Sequence, residues 1–487
     1  MNVLIISIYV LALVIFGFIG RNRSKNNEEF RVAGRRLGPV LYTGSLVALV
    51  LGGASTIGGV ALGYTQGIAG MWLVVSIAAG VILLSLFFAP TITRFKLYTV
   101  SQVLSARYGS KLTTRVSSIV MLAFTIMIAV TSTTAYASIF RVLFGLNSTW
   151  SILLGAVVVI LYSMLGGMWA ITLTDMFQFA FMTVGMFFLL LPVSLANAGG
   201  WSGLTSRLDA EFFQPGSVGF PSLLTMFVLY TLGQLSGQVI WQRVFTAATP
   251  RVARWGGTVA GIYVAAYGVA GAVIGMCARV LEPNLTKADD AFATMAQNYL
   301  PAGLGGVVLA AGVAAMMSTA SGTLIAASTI MRVDIVPMLT GKPAPGRNEG
   351  SVAADRVYLV VLGALATVLA LYMTDTVTAL RTAYNILIGG LLVATMGGLL
   401  WKRATGAGAL ASIVAGAAGV VAGIAIFGVT ANQPIYIGLG CALAAYVVVS
   451  LLTKPNPGAG LDAALASEEN AAAGSHPASA ALGSERA

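Results

Sequence analysis

Three apolar stretches of this chain carry clusters of glycine and hydroxyl residues. They are "GGASTIGG" at 52–59, "LGQLSGQ" at 232–238 and "MMSTASGT" at 316–323. A membrane helix that unwinds at glycine frees backbone carbonyls, which is tolerated only where they line a cavity or bind a cation. Together with carbonyls freed in this way, the hydroxyls of Ser318 and Thr319 would give five neutral oxygens around one small hard cation. For any single stretch, close helix packing remains the alternative interpretation.

One acidic residue lies inside a predicted membrane span. It is Asp175, in "GGMWAITLTDMFQF". A carboxylate at the centre of a membrane helix costs about 2.5–3.5 kcal/mol on insertion scales, so it should face water, a cation or a partner. The alternative is an interfacial Asp at a helix start, stabilised by the helix dipole.

The composition predicts an all-α protein with many membrane spans. The 487 residues are 57% hydrophobic and 9% charged, whereas soluble domains are about 25% charged. The only histidine, His476, and the cysteines Cys277 and Cys441 suggest no histidine relay, disulfide framework or metal cluster. No phosphate-binding loop or soluble enzyme domain is evident, so neither an ATP-driven pump nor an enzyme is expected. Thirteen spans are predicted, at 2–20, 39–63, 68–89, 115–140, 148–166, 170–196, 221–247, 253–280, 304–331, 356–374, 377–400, 405–428 and 434–452.

The positive residues predict the orientation. With the N-terminus outside and the C-terminus in the cytoplasm, 22 of the 27 Lys and Arg lie inside, as the positive-inside rule requires. Because these charges fall between spans, the net charge of +11 indicates topology and no nucleic-acid partner. Residues 1–454 form the transmembrane domain, expected in a bacterial inner membrane in contact with lipid. Residues 455–487 are predicted to be a disordered cytoplasmic tail.

The interrupted spans also predict an inverted repeat. The second and seventh spans each open a block of five, at about 39–196 and 221–400, and the blocks cross the membrane in opposite directions. Glycine-interrupted helices at corresponding positions of two halves are typical of inverted-repeat transporters, with the ligand site between the repeats.

Seven ordered segments resemble the sodium:solute symporter family, which includes bacterial proline, sialic acid, pantothenate and galactose carriers. The resemblance covers roughly 1–452 and rests on "GRRLGPV", "GGASTIGG", "YTVSQVLSARYGSKLTTR", "LYSMLGGMWAITLTDMFQ", "GQVIWQRVFTAA", "AAMMSTASGTLIAASTIMRVD" and "GGLLWKRATGAGAL". It implies a LeuT-type fold of five plus five spans, with one extra span before the repeats and two after them. It also implies a sodium ion (Na+) held by carbonyls of Ala54, Ile57 and Ala315 and hydroxyls of Ser318 and Thr319.

The resemblance leaves a second sodium site open. Asp175 matches an Asp that helps hold a second sodium in some members, and Ser318, Thr319 and Ser321 would stand beside it. Position 322 is Gly where two-sodium members have another hydroxyl. Two alternatives therefore remain, a complete second site or an incomplete one with one sodium per solute.

The solute is expected between the interrupted second and seventh spans, beside the fourth and eleventh. For each candidate residue, a helix-packing role is the alternative to a ligand role. The polar candidates are Ser55, Thr56, Thr131, Gln234, Gln238, Arg381, Tyr384 and Asn385. Proline is disfavoured, because Thr56 replaces an Asp of proline-type carriers. Those carriers also have larger or ring-bearing side chains at the positions of Met127, Thr231, Leu235 and Val239. Arg381 near the outer mouth favours a carboxylate or amino acid, with an interfacial arginine as the alternative.

These observations predict a sodium-coupled symporter that imports a small polar solute. The transporter is expected to be a monomer or a weak homo-oligomer. Two alternatives stay open. One is proton coupling through Asp175 in the same fold, and the other is a solute-sensing membrane module.

Overall fold

The computed structural model describes residues 26–301, 303–342, 352–373 and 375–454, together with residues 8, 9, 11, 12, 15 and 19. These residues are almost entirely helical, apart from loops and one isolated bridge between Leu37 and Ala247. The predicted tail at 455–487 and most of the predicted first span at 2–20 lie outside the described residues. A fold made only of helices satisfies its backbone groups within each segment, as a bilayer requires.

The described helices follow the predicted order of spans. The α-helices are Asn27–Val32, Pro39–Val50, Gly59–Gln66, Trp72–Leu83, Ala89–Ile92, Val100–Tyr108, Lys111–Phe144, Ser148–Thr183, Leu191–Asn197, Gly200–Arg207, Phe220–Met226, Leu232–Gln234, Gln238–Val244, Pro250–Leu281, Ala291–Asn298, Leu304–Ile330, Val336–Thr340, Val352–Tyr372, Thr376–Leu387, Val393–Leu400, Gly406–Phe427 and Gln433–Leu452. Short 3₁₀ turns occupy Ala33–Arg35, Gly67–Met71, Thr93–Phe95, Ala210–Phe213 and Ala288–Asp290. π-helical turns, which the sequence analysis did not anticipate, occupy Ala54–Gly58, Leu84–Phe88, Val184–Leu190, Phe227–Thr231, Met331–Ile335 and Ile388–Leu392.

The predicted count of thirteen spans is matched only in part. Among the described residues, nine helical segments are long and apolar enough to cross a membrane, or ten if one bent pair counts as a span. The helices Pro39–Val50 and Ser148–Leu161 are apolar but shorter. The total of thirteen therefore stays a prediction.

Two spans are interrupted. The first broken helix consists of Pro39–Val50, the π-turn Ala54–Gly58 and Gly59–Gln66. The second broken helix consists of Phe220–Gln234 and Gln238–Val244, which meet at an angle of 46°. Both interruptions fall in glycine-containing stretches singled out by the sequence analysis.

One long helix forms the centre of the protein. In the segment Leu304–Thr340, 89% of the apolar window is buried, against 28% for the peripheral Gln433–Leu452. We call Leu304–Ile330 the central helix. It packs against Lys111–Phe144 and Ser148–Thr183 and contacts both broken helices. Its many Gly, Ala and Ser residues allow this close approach.

A sharp turn separates the two predicted spans within Ser148–Thr183. Gly167 has φ +61° and ψ −161°, outside helical geometry. A Cβ at this position would overlap the ring of Phe30, so both the backbone and the packing require glycine. The Asp175 helix, our name for the part of Ser148–Thr183 after this turn, is thereby aimed at the central helix.

Candidate ion and solute site

The first broken helix opens one turn before the residues predicted to bind sodium. Pro39–Val50 ends with the Leu51 N–H bonded to the Val47 carbonyl, and Gly52 is not helical. Residues 54–58 are wound as a π-turn, where the sequence predicted a gap at 54–57. The Gly52–Gly53 pair explains the earlier break, because glycine is the residue least committed to a helix.

Three hydroxyls bond the carbonyls that end the first half of this helix. Such terminal carbonyls have no partner within their own helix. The bonds are Thr319 Oγ1 to Leu49 O at 2.6 Å, Ser55 Oγ to Val50 O at 2.9 Å and Thr56 Oγ1 to Leu51 O at 3.3 Å.

Thr319 reaches this break because Gly52 has no side chain. A Cβ on Gly52 would overlap the Thr319 hydroxyl. The same hydroxyl lies 3.4 Å from the Ala315 carbonyl. Thr319 and Ala315, two of the five predicted sodium ligands, are therefore next to the break.

Ala54 and Ile57 are buried in the π-turn, which packs against the central helix. A π-turn alters the hydrogen bonding of its carbonyls and is frequent at functional sites. Carbonyls and hydroxyls are neutral hard oxygens, and a hydroxyl oxygen keeps lone pairs for a cation while it donates its proton elsewhere. This donor set fits a small alkali cation.

Ser318 faces a different partner. Its hydroxyl donates to Asp175 Oδ1 at 2.6 Å, and Asp175 Oδ2 lies 2.7 Å from Arg243 Nη2. Ser321, proposed beside a second sodium, donates to the Ser318 carbonyl at 3.1 Å. The structure therefore links Ser318 and Asp175 directly, with a guanidinium as the cation against the carboxylate.

The sequence analysis missed the role of Arg243. It counted this residue among the charges at the cytoplasmic side, but the side chain is 2% exposed and ion-paired. The available signal was an arginine within the apolar segment "GQVIWQRVFTAA". Asp355, placed at a span end, is similarly 1% exposed and pairs with Arg31 at 3.2 Å.

A small central cavity lies between the two broken helices. Its volume is about 60 Å³. Four of the predicted solute residues line it, namely Ser55, Thr131, Gln234 and Tyr384. Thr319, Phe124 and Gly233 also line it, so the ion and solute candidates share one space.

Gln234 and Tyr384 close this cavity on one side. The Gln234 amide donates to the Tyr384 hydroxyl, and a Cβ on Gly233 would overlap the Tyr384 ring. Tyr230 packs edge-on against Tyr384, with ring centroids 5.3 Å apart. The sequence analysis did not single out Tyr230 or Gly233.

Four other predicted solute residues do not line the central cavity. Gln238 is engaged on both sides of its amide, accepting from Val100 N at 2.9 Å and donating to Tyr98 O at 2.8 Å. Thr56 Oγ1 lies 3.2 Å from the Tyr267 hydroxyl. Asn385 is buried, and its amide nitrogen has no hydrogen-bond partner among the described residues.

The fourth, Arg381, lines a second and larger cavity of about 690 Å³. Its guanidinium donates to Asn432 Oδ1 at 2.7 Å. Glu211 and Tyr230 line the same space. Because Tyr230 contacts Tyr384, the two tyrosines separate the large cavity from the central one.

Comparisons with known proteins agree with this architecture. The model of the sodium:solute symporter family matches residues 30–416. A sodium/proline symporter of Staphylococcus aureus is 26% identical over 491 residues, covering 93% of each chain. A Na+-coupled sialic acid symporter in a substrate-bound outward-open state aligns with a TM-score of 0.79 at 19% identity, covering 93% of this chain and 98% of that one. A nucleobase-cation-symport-1 family transporter in a closed conformation aligns with a TM-score of 0.50 at 14% identity, covering 92% and 98%.

Proposed function

The chain belongs to the sodium:solute symporter family, and on that basis we propose that it is a sodium-coupled symporter that imports a small polar organic solute by alternating access. The observation that carries this proposal is the contact of Thr319 with the broken first helix. There a hydroxyl of the central helix meets carbonyls released by a membrane helix, at the wall of a cavity between two broken helices.

We propose that sodium binds among the carbonyls of Ala54, Ile57 and Ala315 and the hydroxyls of Ser318 and Thr319. Each hydroxyl can keep the hydrogen bond that it donates, Thr319 to the Leu49 carbonyl and Ser318 to Asp175, while a lone pair of its oxygen faces the ion. Sodium would then add ion–oxygen contacts without leaving a buried group unpaired. Because these oxygens are neutral, they can release the ion again, as a transport cycle needs.

The two cavities suggest how access alternates. The large cavity, on the face that we assign to the outside, stops at Tyr230 and Tyr384. On the opposite side, the Gln238 amide binds the backbone of Tyr98 and Val100 and keeps that face closed. We propose that solute enters from the large cavity, displaces the Tyr384–Gln234 contact and leaves after Gln238 releases this backbone.

The membrane potential favours import in this orientation. Moving one positive charge inward gains about 2.3 kcal/mol per 100 mV. We place the N-terminus outside and the C-terminus in the cytoplasm of a bacterial inner membrane. The thirteen spans, the repeats at 39–196 and 221–400 and the tail at 455–487 belong to the same proposal. Reporter fusions at the C-terminus test it, because a periplasmic signal would reverse the assignment.

Ser55, Thr131, Gln234 and Tyr384 are the proposed solute contacts, since they line the central cavity. The relative from Staphylococcus aureus is named for proline, so proline is the first solute to assay. We expect no proline uptake, because Val239 of this cavity and Thr231 are small where proline-type carriers have larger or ring-bearing side chains. Thr231 Oγ1 is also engaged, donating to the Ser76 carbonyl at 2.7 Å.

Arg381 is proposed to attract a carboxylate or an amino acid from the large cavity. It lies beyond Tyr230, so it should act on entry and not within the central cavity. The change Arg381→Ala should weaken apparent affinity for carboxylate solutes, most strongly at low ionic strength. Unchanged affinity for every carboxylate transported would remove this part of the proposal.

The decisive experiment measures solute uptake into proteoliposomes under an imposed sodium gradient, a potassium gradient or a pH gradient. A thermal-shift screen of metabolites, with and without sodium, identifies the solute beforehand. Uptake driven by sodium alone supports the proposal, whereas uptake driven only by the pH gradient would indicate proton coupling. Sodium-dependent binding without transport would instead indicate a solute-sensing module.

A further inference from the structure

We propose that Arg243 is a tethered cation that neutralises Asp175 and limits this carrier to one exchangeable sodium ion per solute. The inference rests on the proposed sodium symport and specifies its stoichiometry. The geometry that carries it is the junction of Asp175, Ser318 and Arg243.

The junction has the chemistry of a cation site. A carboxylate that is 0% exposed accepts from the Ser318 hydroxyl at 2.6 Å. Ser45, on the first broken helix, is buried beside it and interacts with Asp175. A carboxylate and two hydroxyl groups buried together would attract sodium if no other cation were present.

The protein supplies that cation itself. Arg243 Nη2 lies 2.7 Å from Asp175 Oδ2, and Nη1 donates to Met168 Sδ at 3.2 Å. The arginine is 2% exposed, so its charge is not screened by water. A second sodium ion bound directly by Asp175 would place two positive charges against one carboxylate in a low-dielectric interior, which is strongly unfavourable.

Gly322 of the central helix lies beside the guanidinium. An ideal Cβ there would lie 3.6 Å from Arg243 Nη2, an ordinary van der Waals distance, but only 2.7 Å from Leu49 Cδ1. A methyl group at 322 would therefore require a shift of Leu49. Glycine at 322 also offers no hydroxyl to a second sodium ion.

The neighbouring sodium site differs in one respect. The groups around Thr319 are carbonyls and hydroxyls without charge. A sodium ion can enter and leave that site, while Arg243 is covalently attached and stays. Thr319 thus faces the mobile ion, and Ser318 lies between that ion and the carboxylate that holds the fixed cation.

The first test measures wild-type stoichiometry from the membrane potential at which sodium-coupled solute flux reverses in proteoliposomes. We expect one sodium per solute, and a value of two would overturn the inference. If solute flux showed no sodium dependence at all, the proposed function would fail instead. The two failures are therefore distinguishable.

The second test removes the tethered cation. In Arg243→Met, Asp175 and Ser318 need a new cation, so the stoichiometry and the Hill coefficient for sodium should rise from about 1 towards about 2. Sodium should also raise the melting temperature of this variant more than that of the wild type. Arg243→Lys keeps a cation and should keep one sodium.

Arg31 provides a matched control. It forms another buried pair, with Asp355, in which both side chains are at most 1% exposed. Arg31→Met should destabilise the protein without changing the sodium count. An equal change in both variants would mean that the effect reports general destabilisation and would contradict the inference.

The double variant Arg243→Met with Asp175→Asn covers the case in which the single variant does not fold. It removes both charges, so no uncompensated buried charge remains. We expect it to retain one sodium per solute. Loss of sodium coupling in this variant would show that Asp175 holds the coupled ion and would overturn the proposal.

Discussion

The two broken helices differ in the groups that bond their broken ends. At the first break, the hydroxyls of Thr319, Ser55 and Thr56 donate to main-chain carbonyls. A hydroxyl rotates and accepts as readily as it donates. These hydroxyl oxygens can therefore bind a cation while they still donate to the carbonyls.

At the second break, the donors are fixed. Trp241 Nε1 donates to the Leu235 carbonyl at 2.8 Å, and Gln238 uses both ends of its amide on the backbone of Tyr98 and Val100. An indole N–H has no lone pair to offer a cation. We therefore propose that similar interruptions of a helix serve different purposes in this protein, an ion site in one case and a closed gate in the other.

The largest expected effect comes from closing the approach to the first break. Gly52→Ala places a methyl group where the Thr319 hydroxyl lies. Overpacking of this kind costs about 3 kcal/mol at the upper end, which corresponds to about a 100-fold loss of sodium affinity. Sodium activation of uptake measures it.

Gly38 is the matched control, because no atom lies within 4 Å of the Cβ that Gly38→Ala would add. That variant should transport like the wild type. Normal sodium activation in Gly52→Ala would mean that the contact with Thr319 is irrelevant to ion binding.

The second effect removes only the hydroxyl of the ion site. Thr319→Val keeps the shape of the side chain but loses one oxygen ligand. We expect about a 50-fold rise in the sodium concentration for half-maximal uptake, equivalent to about 2.3 kcal/mol. Maximal uptake at saturating sodium should change less.

Thr323→Val controls for the loss of a buried hydroxyl on the same helix. Among the residues that the structure describes, the Thr323 hydroxyl donates only within its own helix, to the carbonyls of Thr319 and Ala320. If both variants shifted sodium activation equally, the first break would have no special role as an ion site.

The third effect weakens the gate at the second break. Gln238→Leu leaves Val100 N and Tyr98 O without their side-chain partner, which costs the closed state about 2 kcal/mol. The protein should therefore open more often towards the cytoplasmic side, by about 30-fold. Labelling of Val239→Cys with an impermeant maleimide from that side measures it, in a Cys441→Ser background because Cys441 is exposed.

Gln178→Leu is the control for this experiment, since neither polar atom of the buried Gln178 amide has a hydrogen-bond partner among the described residues. It should leave the labelling rate unchanged. Equal labelling of the Gln238→Leu variant and its parent would refute the gate.

The smallest effect concerns the fixed bond at the second break. Trp241→Phe loses the indole bond to Leu235, which contributes about 1 kcal/mol. Its melting temperature should fall by a few degrees, and by the same amount with and without sodium. Trp255→Phe, at a 54% exposed tryptophan, should change little. A sodium-dependent loss in Trp241→Phe would erase the distinction between the two breaks.

Much of the fold was predictable because membrane helices obey local rules. A run of roughly 20 apolar residues is enough to indicate a span, and the helices from Pro39 to Leu452 follow the predicted order. The glycine-containing stretches indicated both interruptions, because the tendency of glycine to interrupt a helix is also a local property. The π-turn Ala54–Gly58 was not predictable, because its winding depends on how the neighbouring helices pack around it.

The candidate site was predictable as a set of polar residues but not as a set of pairs. Residue type and position indicated that Thr319, Ser318, Gln234 and Tyr384 are polar groups inside the membrane. They did not indicate that Gln238 would bind the backbone of Val100, 138 residues away, instead of the solute cavity. Polar residues at one depth in the membrane have many possible partners, and packing selects among them.

The sequence by itself determined that this chain crosses a membrane many times and that two of its helices break at glycine, since both properties depend on neighbouring residues. Only the tertiary structure decided that Thr319 meets the break while the adjacent Ser318 turns to Asp175, and that Arg243 supplies the cation there. Ser318 and Asp175 are 143 residues apart. Their contact depends on where three helices cross, which no local pattern of residues records.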